Sequence, residues 1–256
     1  MIRLVAPQDI PELLSAAPNS GLGTKALGPL LSYGTDYPFA TTWVQMEDEK
    51  QISAVLSCFY GAMTAAAFST LSAEQRREIL SFADAAGCRS FTADAALFDR
   101  EPDGLVLRRS SGGVPMQETP AVCFAEEPRS LKPVFSLLAP QNVSYDEWVV
   151  DISHRIRHGT MCVAVLPAAD GAALATASAL TVLPDSYLLG AVQTRPDWRG
   201  KGLAKQCISA VMKKMEARTG YLMCRDELKD FYRPLGFQSD GTFSQQIRIS
   251  GERSTD

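Results

Sequence analysis

Val192-Gln193-Thr194-Arg195-Pro196-Asp197-Trp198-Arg199-Gly200-Lys201-Gly202-Leu203-Ala204 joins an apolar strand to an amphipathic helix through a turn that carries two glycines. Upstream, residues 187–192 are a β-favouring run behind the Pro184-Asp185 turn. Downstream, Ala204, Cys207, Ile208, Val211 and Met215 recur on one helical face. The turn therefore sits at a helix N-terminus. The first backbone N–H groups of a helix have no internal partners and carry the positive end of its dipole, an arrangement that suits an anion. Gly200 and Gly202 put no side chain in the way, and Arg199, Lys201 and Lys205 add positive charge around them. This pattern implies a polyanionic ligand.

Spacing narrows the choice. A nucleotide P-loop closes on Gly-Lys-Ser/Thr, whereas Gly202 is followed by Leu203. A dinucleotide fingerprint needs a third glycine three residues after Gly202, where Lys205 stands. What fits is Arg-x-x-Gly-x-Ala, formed by Arg199, Gly202 and Ala204, which resembles the acyl-CoA pyrophosphate loop of the GNAT superfamily of N-acetyltransferases. Further on, Tyr221-Leu222-Met223-Cys224 reads as a short strand. The chain from Asp226 then ends in Phe231-Tyr232-Arg233-Pro234-Leu235-Gly236-Phe237. That Phe-Tyr-x-x-x-Gly-Phe wording is similar to the last block of the superfamily and close to its serotonin N-acetyltransferase branch. Together the two motifs cover roughly the last third of the chain.

The resemblance implies an α/β fold with a mixed sheet of the GNAT acyl-CoA N-acyltransferase type. It also implies acetyl-CoA as cosubstrate, no metal, and direct acetyl transfer to a primary amine of a small molecule or peptide. It gives the backbone of Val192, Gln193 and Thr194 to the pantetheine arm and thioester carbonyl. The diphosphate falls to Arg199, Gly200, Lys201, Gly202, Leu203, Ala204 and Lys205. Tyr232 matches the family tyrosine that protonates the departing sulfur, a catalytic role, while Phe231 is assigned to the core and Trp198 to packing against the sheet.

No general base is evident, because the strands of the second half carry no interior Asp or Glu. His154 and His158, one helical turn apart beside Arg155 and Arg157, read as a solvated helix end. In the serotonin enzyme's branch the histidines sit on a strand, and Thr176 or Ser178 occupies the comparable strand here. The alternative reading is a catalytically inactive acyl-CoA-binding sensor or scaffold of the same fold. A third, an interaction module in which Arg199 and the glycines only form a turn, implies no CoA affinity.

Composition sets the outer bounds. A 256-residue chain with 46% hydrophobic and 21% charged residues is long enough for one large or two ordinary soluble domains. A net charge of only -4 indicates neither a nucleic-acid surface nor an acidic tail, and no apolar run approaches a membrane span. Met1–Val5 is too short for a signal-peptide core before Pro7. The six cysteines form no Cys-x-x-Cys pair and no zinc spacing, so reduced, partly buried thiols and a cytoplasmic setting are expected. A homodimer is left open.

The order of elements suggests duplication. In the first half, a strand at 2–5 and a short helix near Asp9 precede a loop from Pro18 that contains Gly21-Leu22-Gly23-Thr24-Lys25. Strands follow at 41–46, 52–59 and 63–68, with a charged turn at 47–50, then a helix opened by the Ser72/Gln75 capping box and a strand at 90–93. The second half repeats this: a helix from Ser144 to Gly159, strands at 161–166, 172–182 and 187–192, the long helix stopping at Gly220, and the strand at 221. We read a tandem of GNAT-like units, residues 1–127 and 128–256, with the change near Glu126–Ser130. The first is degenerate, because Ser69-Thr70-Leu71-Ser72-Ala73-Glu74 has no glycine and no base where the second has its cradle. Residues 101–120 are assigned to no element.

Overall fold

The computed structural model describes residues 1–16, 19–47, 51–112 and 121–247. In chain order the first elements are β1 (Ile2–Leu4), α1 (Ile10–Ser15), α2 (Gly21–Tyr33), β2 (Ala40–Met46), β3 (Ile52–Phe59), β4 (Ala62–Ala67), α3 (Ala73–Ala85), β5 (Ser90–Asp94) and β6 (Gly104–Arg109). They are followed by β7 (Cys123–Phe124), α4 (Pro128–Leu138), α5 (Tyr145–Arg157), β8 (Cys162–Pro167), β9 (Ala173–Val182) and β10 (Ser186–Thr194). The last are α6 (Leu203–Lys214), β11 (Thr219–Cys224), α7 (Lys229–Tyr232) and β12 (Gln238–Ile247).

Two compact units result, and neither is a contiguous half. The first comprises Met1–Val106, Cys224–Asp226 and the segment from Ser239 onward; the second comprises Leu107–Met223 and Glu227–Gln238. The expected change of unit near residues 126–130 lies inside the second unit, at the start of α4.

In the first unit β1 to β4 form an antiparallel meander. Next, β5 pairs parallel with β4 through Met63↔Phe91, and β12 adds antiparallel to β5 through Ser244↔Ala93. The Ser72 hydroxyl accepts from Gln75 N–H at 3.1 Å, and Gln75 Oε1 accepts from Ser72 N–H at 2.7 Å, so the capping box opens α3 as the sequence indicates. Its Ile79 and Ala83 pack with Leu56, Met63 and Phe91.

The second unit places β8 and β9 between layers of helix. Val163 and Val165 face α4 and α5, packing with Leu131, Val134 and Ile152. The alternate residues Cys162, Ala164 and Leu166 are equally buried on the α6 side. A strand buried on both faces must be apolar at every position, which is why residues 162–166 read as an unbroken hydrophobic run. β9 pairs antiparallel with both β8 and β10, while β10 pairs parallel with β11. The strand-strand-strand-helix-strand order thus occurs in both units, with the last pair parallel in each.

Five readings change. The stretch at Gly21–Lys25, expected as a flexible loop, begins the helix α2. Ser20 Oγ accepts from Gly23 N–H at 3.0 Å, and burial of Leu22, Ala26, Leu27 and Leu30 outweighs the cost of three glycines and Pro29. The helix α4 was not anticipated, because Pro128 and Pro133 mask a strongly apolar face. The strand β6 occupies part of the unassigned stretch, of which residues 113–120 lie outside the described residues. Residues 48–50 of the charged turn also lie outside them. Gly220 does not end a helix: α6 stops at Lys214, and Gly220 lies within β11. The strand β12 was not read at all. Among the described residues no helix is long and apolar enough to cross a membrane.

Gly220 has a packing role instead. It stands opposite Tyr187 in the parallel ladder, and a Cβ on it would lie 2.5 Å from Tyr187 Oη. Tyr187 is fully buried, its hydroxyl has no hydrogen-bond partner, and burial pushes its pKa up to about 12. Gly220→Ala is expected to lower stability by roughly 1–3 kcal/mol through overpacking. Adding Tyr187→Phe should recover part of the loss. Denaturant midpoints of the two variants measure both effects, and an unchanged Gly220→Ala midpoint would show that the tyrosine has room to move.

Candidate active site

The site begins with an irregularity in β10. Its register with β9 runs Leu189↔Ala179 and Gly190↔Ser178, then resumes at Gln193↔Thr176. Ala191 and Val192 therefore oppose Ala177 alone, which defines a β-bulge. Ala191 carries the extra turn at φ +48°, in the left-handed region that an L-residue enters only at a cost of about 1–2 kcal/mol. The ladder to β11 ends at Leu189↔Leu222, whereas β10 runs on to Thr194. Beyond Leu189 the two strands part.

A cleft of about 590 Å³ lies beside this last part of β10. It is lined by Val192, Gln193 and Thr194 from the strand, by Arg199, Gly200, Gly202, Leu203, Ala204 and Lys205 from the turn and helix start, and by Tyr232. The structure thus brings together nine of the ten residues assigned to cofactor binding, and Tyr232 with them. Lys201 is the exception: its Nζ lies 4.2 Å from the centre of the Trp198 ring instead of lining the cleft.

The start of α6 differs from those of α2, α3 and α5. Those three have serine N-caps whose hydroxyls accept a backbone N–H. The N-cap of α6 is Gly202, with no side-chain hydrogen bond. The first helical bond runs from Gln206 N–H to Gly202 O at 3.2 Å, so the amides of Leu203, Ala204 and Lys205 precede it. Gly200 and Gly202 sit at φ +76° and +74°, where other residues are strained, and nothing lies within 4 Å of where a Cβ would stand.

The electrostatics favour a polyanion. Among the described residues no Asp, Glu or His lines the cleft, while Arg199 and Lys205 do. The turn's one acid, Asp197, accepts from Arg195 at 2.9 and 3.1 Å, which holds its carboxyl below the usual range. Arg199 Nε donates to Thr194 O at 3.4 Å, tying the turn back to the strand. These residues fit a diphosphate: backbone donors at an uncapped helix start, open space over two glycines, and flanking cations.

Three residues lie where sequence reasoning did not put them. Trp198, expected against the sheet, lines the cleft with Lys201 and Arg195 over its ring. Phe231, expected in the core, is a half-buried cleft wall with Lys205 Nζ 5.6 Å from its centre. Leu228 joins them, exposed by 46%. The aromatic pair Phe231-Tyr232 was the available signal, since adjacent residues on one helical turn cannot share a face. His154 and His158 pack ring to ring at 4.3 Å on α5 and line no part of this cleft. Arg155, read as solvated, is largely buried and paired with Asp151 at 3.5 Å.

The matching place in the first unit is built differently. Ser69 and Thr70 from the β4–α3 connection and Arg76 of α3 line a cleft of about 490 Å³, together with Asp94 and Asp240. The α3 start is occupied by its own capping box and carries Glu74 in its first turn.

The comparisons with known proteins bear on the fold. Residues 129–237 match the model of the acetyltransferase (GNAT) family. No curated protein matches the chain in sequence. A GCN5-related N-acetyltransferase from Sphaerobacter thermophilus superposes with a TM-score of 0.61 at 13% identity, over 100% of this chain and 98% of its own. A GCN5-related N-acetyltransferase from Kribbella flavida gives 0.61 at 12%, over 91% and 97%. A tandem GNAT protein from the clavulanic acid biosynthesis pathway gives 0.57 at 13%, over 98% and 99%. The chain has the α/β fold seen in tandem GNAT proteins, and the match to the acetyltransferase (GNAT) family model is confined to its residues 129–237.

Proposed function

We propose that the second unit is an N-acetyltransferase that moves an acetyl group from acetyl-CoA directly to a primary amine of a small molecule or peptide. One observation carries the reading. The uncapped, glycine-opened start of α6 shares a single cleft with the bulged strand β10 and with Tyr232.

Acetyl-CoA would supply the activated acyl group, and the chain's own atoms do the rest. The amides of Leu203, Ala204 and Lys205, with Arg199 beside them, hold the diphosphate. Beyond Leu189 the β10 backbone is released from β11, so amides of the bulged segment are available to the pantetheine arm and to the carbonyl oxygen. A backbone donor aimed at developing negative charge on that oxygen is worth about 3 kcal/mol. When the amine nitrogen's electron pair forms the new C–N bond, the C–S bond breaks and the sulfur leaves as thiolate. Tyr232, largely buried in the cleft wall, is placed to deliver a proton to it. Among the described residues no Asp, Glu or His lines the cleft, so an ammonium acceptor first gives a proton to water, and the N–H proton released as the amide forms returns through solvent to the Tyr232 phenolate. The first unit, whose matching helix start is capped and acidic, takes a structural or substrate-shaping part.

Three outcomes test this. Gly202→Asp should abolish binding of acetyl-CoA and CoA in calorimetry while leaving the circular dichroism spectrum intact; retained affinity would remove the α6 start from the site. Tyr232→Phe should keep CoA affinity and slow thiol release by about 10²- to 10⁴-fold. Normal turnover in that variant would take the tyrosine out of the mechanism. For an acceptor found in an amine-library thiol-release screen, kcat/KM should climb with pH up to the amine's own pKa. An additional inflection near 6.5, the ordinary histidine range, would reveal a base from elsewhere in the chain.

A further inference from the structure

Two of the six cysteines meet in the first unit. Cys58 lies near the end of β3, and Cys88 follows Gly87, whose φ of +64° turns the chain out of α3. Their Sγ atoms are 3.6 Å apart, in van der Waals contact. The backbone holds them there from both sides. Cys58 pairs with Met63 across the Tyr60-Gly61 turn, and the amide of Arg89 donates to Gly61 O at 2.8 Å, which pins Cys88 beside the same turn. Cys58 is half-buried and Cys88 is 4% exposed.

We propose that Cys58 and Cys88 are a redox pair that closes to an intramolecular disulfide by exchange with a small-molecule disulfide. The final S–S distance is about 2.05 Å. From 3.6 Å the sulfurs must approach by about 1.5 Å.

The exchange runs in two steps. The thiolate of Cys58, the more accessible of the pair, attacks one sulfur of the reagent R–S–S–R. The reagent's S–S bond breaks, one R–S⁻ leaves with the electron pair, and a mixed disulfide stands on Cys58. The thiolate of Cys88 then attacks Cys58 Sγ, forming the protein disulfide and expelling the second R–S⁻. The two thiol protons end on two R–SH; the protein is oxidised by two electrons and the reagent reduced by two. Proximity makes the second step effectively unimolecular, so the mixed disulfide on Cys58 is short-lived. Cys123, exposed and free, offers an internal comparison, because it takes the first step alone. The closed link joins β3 to the segment entering β5, the two strands that flank β4, and fixes the turn carrying Phe59 and Tyr60.

Oxidised glutathione added to the full chain, followed by alkylation and peptide mapping without reductant, tests this. The expected product is the Cys58 peptide joined to the Cys88 peptide, lighter by two hydrogens than their sum and released by dithiothreitol, with glutathione carried by Cys123. In Cys88→Ser, glutathione should accumulate on Cys58 instead. Alkylation of both Cys58 and Cys88 after Cys123 has reacted would overturn the proposal. So would a stable glutathione adduct on Cys58 in the unmodified sequence. Should Cys88→Ser fail to fold, the map of the unmodified chain decides alone.

Discussion

An unmatched residue interrupts a strand's ladder locally and bends the strand, and the second unit carries such an interruption in β10. At Ala191 the backbone of β10 enters the left-handed region, and its register with β9 slips by one residue. Past Leu189 its ladder to β11 is over. The cleft lined by Val192, Gln193 and Thr194 lies along this part of β10. Arg199, Gly200 and Gly202 line the same cleft. The local strain of about 1–2 kcal/mol persists because the strand is over-determined elsewhere. Its first half is buried, and β9 beside it is buried at nearly every position between β8 and the helices.

The two units show how little separates a binding cleft from a structural one. Both place a helix after the last strand of an antiparallel run and return to a parallel partner. In the first unit a serine hydroxyl and a glutamine amide satisfy the opening donors of α3, and Glu74 adds negative charge there. In the second, glycines in left-handed conformations open α6 with no capping side chain. The first choice favours helix stability by about 1 kcal/mol. The second leaves backbone donors for a ligand, and that stabilisation is forgone. A side-chain cap is thus missing where the larger of the two clefts lies, while the strand and helix order repeats.

How much of this the sequence displays depends on whether the cause is local. Gly200, Gly202 and Arg199 advertise the cradle because positive φ and charge are properties of those residues. The capping boxes at Ser72 and Ser144 are equally local, and both helices begin where those residues indicate. The bend of β10 away from its neighbour is implied by the family resemblance alone: Gly190-Ala191-Val192 itself reads as ordinary strand, since alanine gives no warning of φ +48°. Helix α2 is hidden for the opposite reason. Its glycines and Pro29 argue against a helix, and only tertiary burial of Leu27 and Leu30, almost completely inaccessible, overrides them. Phe231 was misplaced because a four-residue helix has too little periodicity to say which of two adjacent aromatics faces inward.

The division into units was the least legible feature, and β12 explains why. Its residues follow the Phe-Tyr-x-x-x-Gly-Phe block directly in the chain, yet they pair with β5 from Phe243↔Asp94 to Ile247↔Ser90 and belong to the first unit. Side chains specify this pairing at long range: Asp103 accepts from Gln245 N–H at 2.6 Å, and Asp103 N–H donates to Phe243 O at 3.0 Å. Gly104 is needed where Phe243 crosses, since a Cβ there would come within 2.7 Å of its ring. None of these contacts lies within a sequence window that composition or periodicity can scan. Closing the first unit's sheet must therefore wait for residues near the end of the chain, a contact of high sequence separation that forms late because its loop-closure entropy comes first. A unit defined by packing need not be a segment defined by sequence, and this one is not.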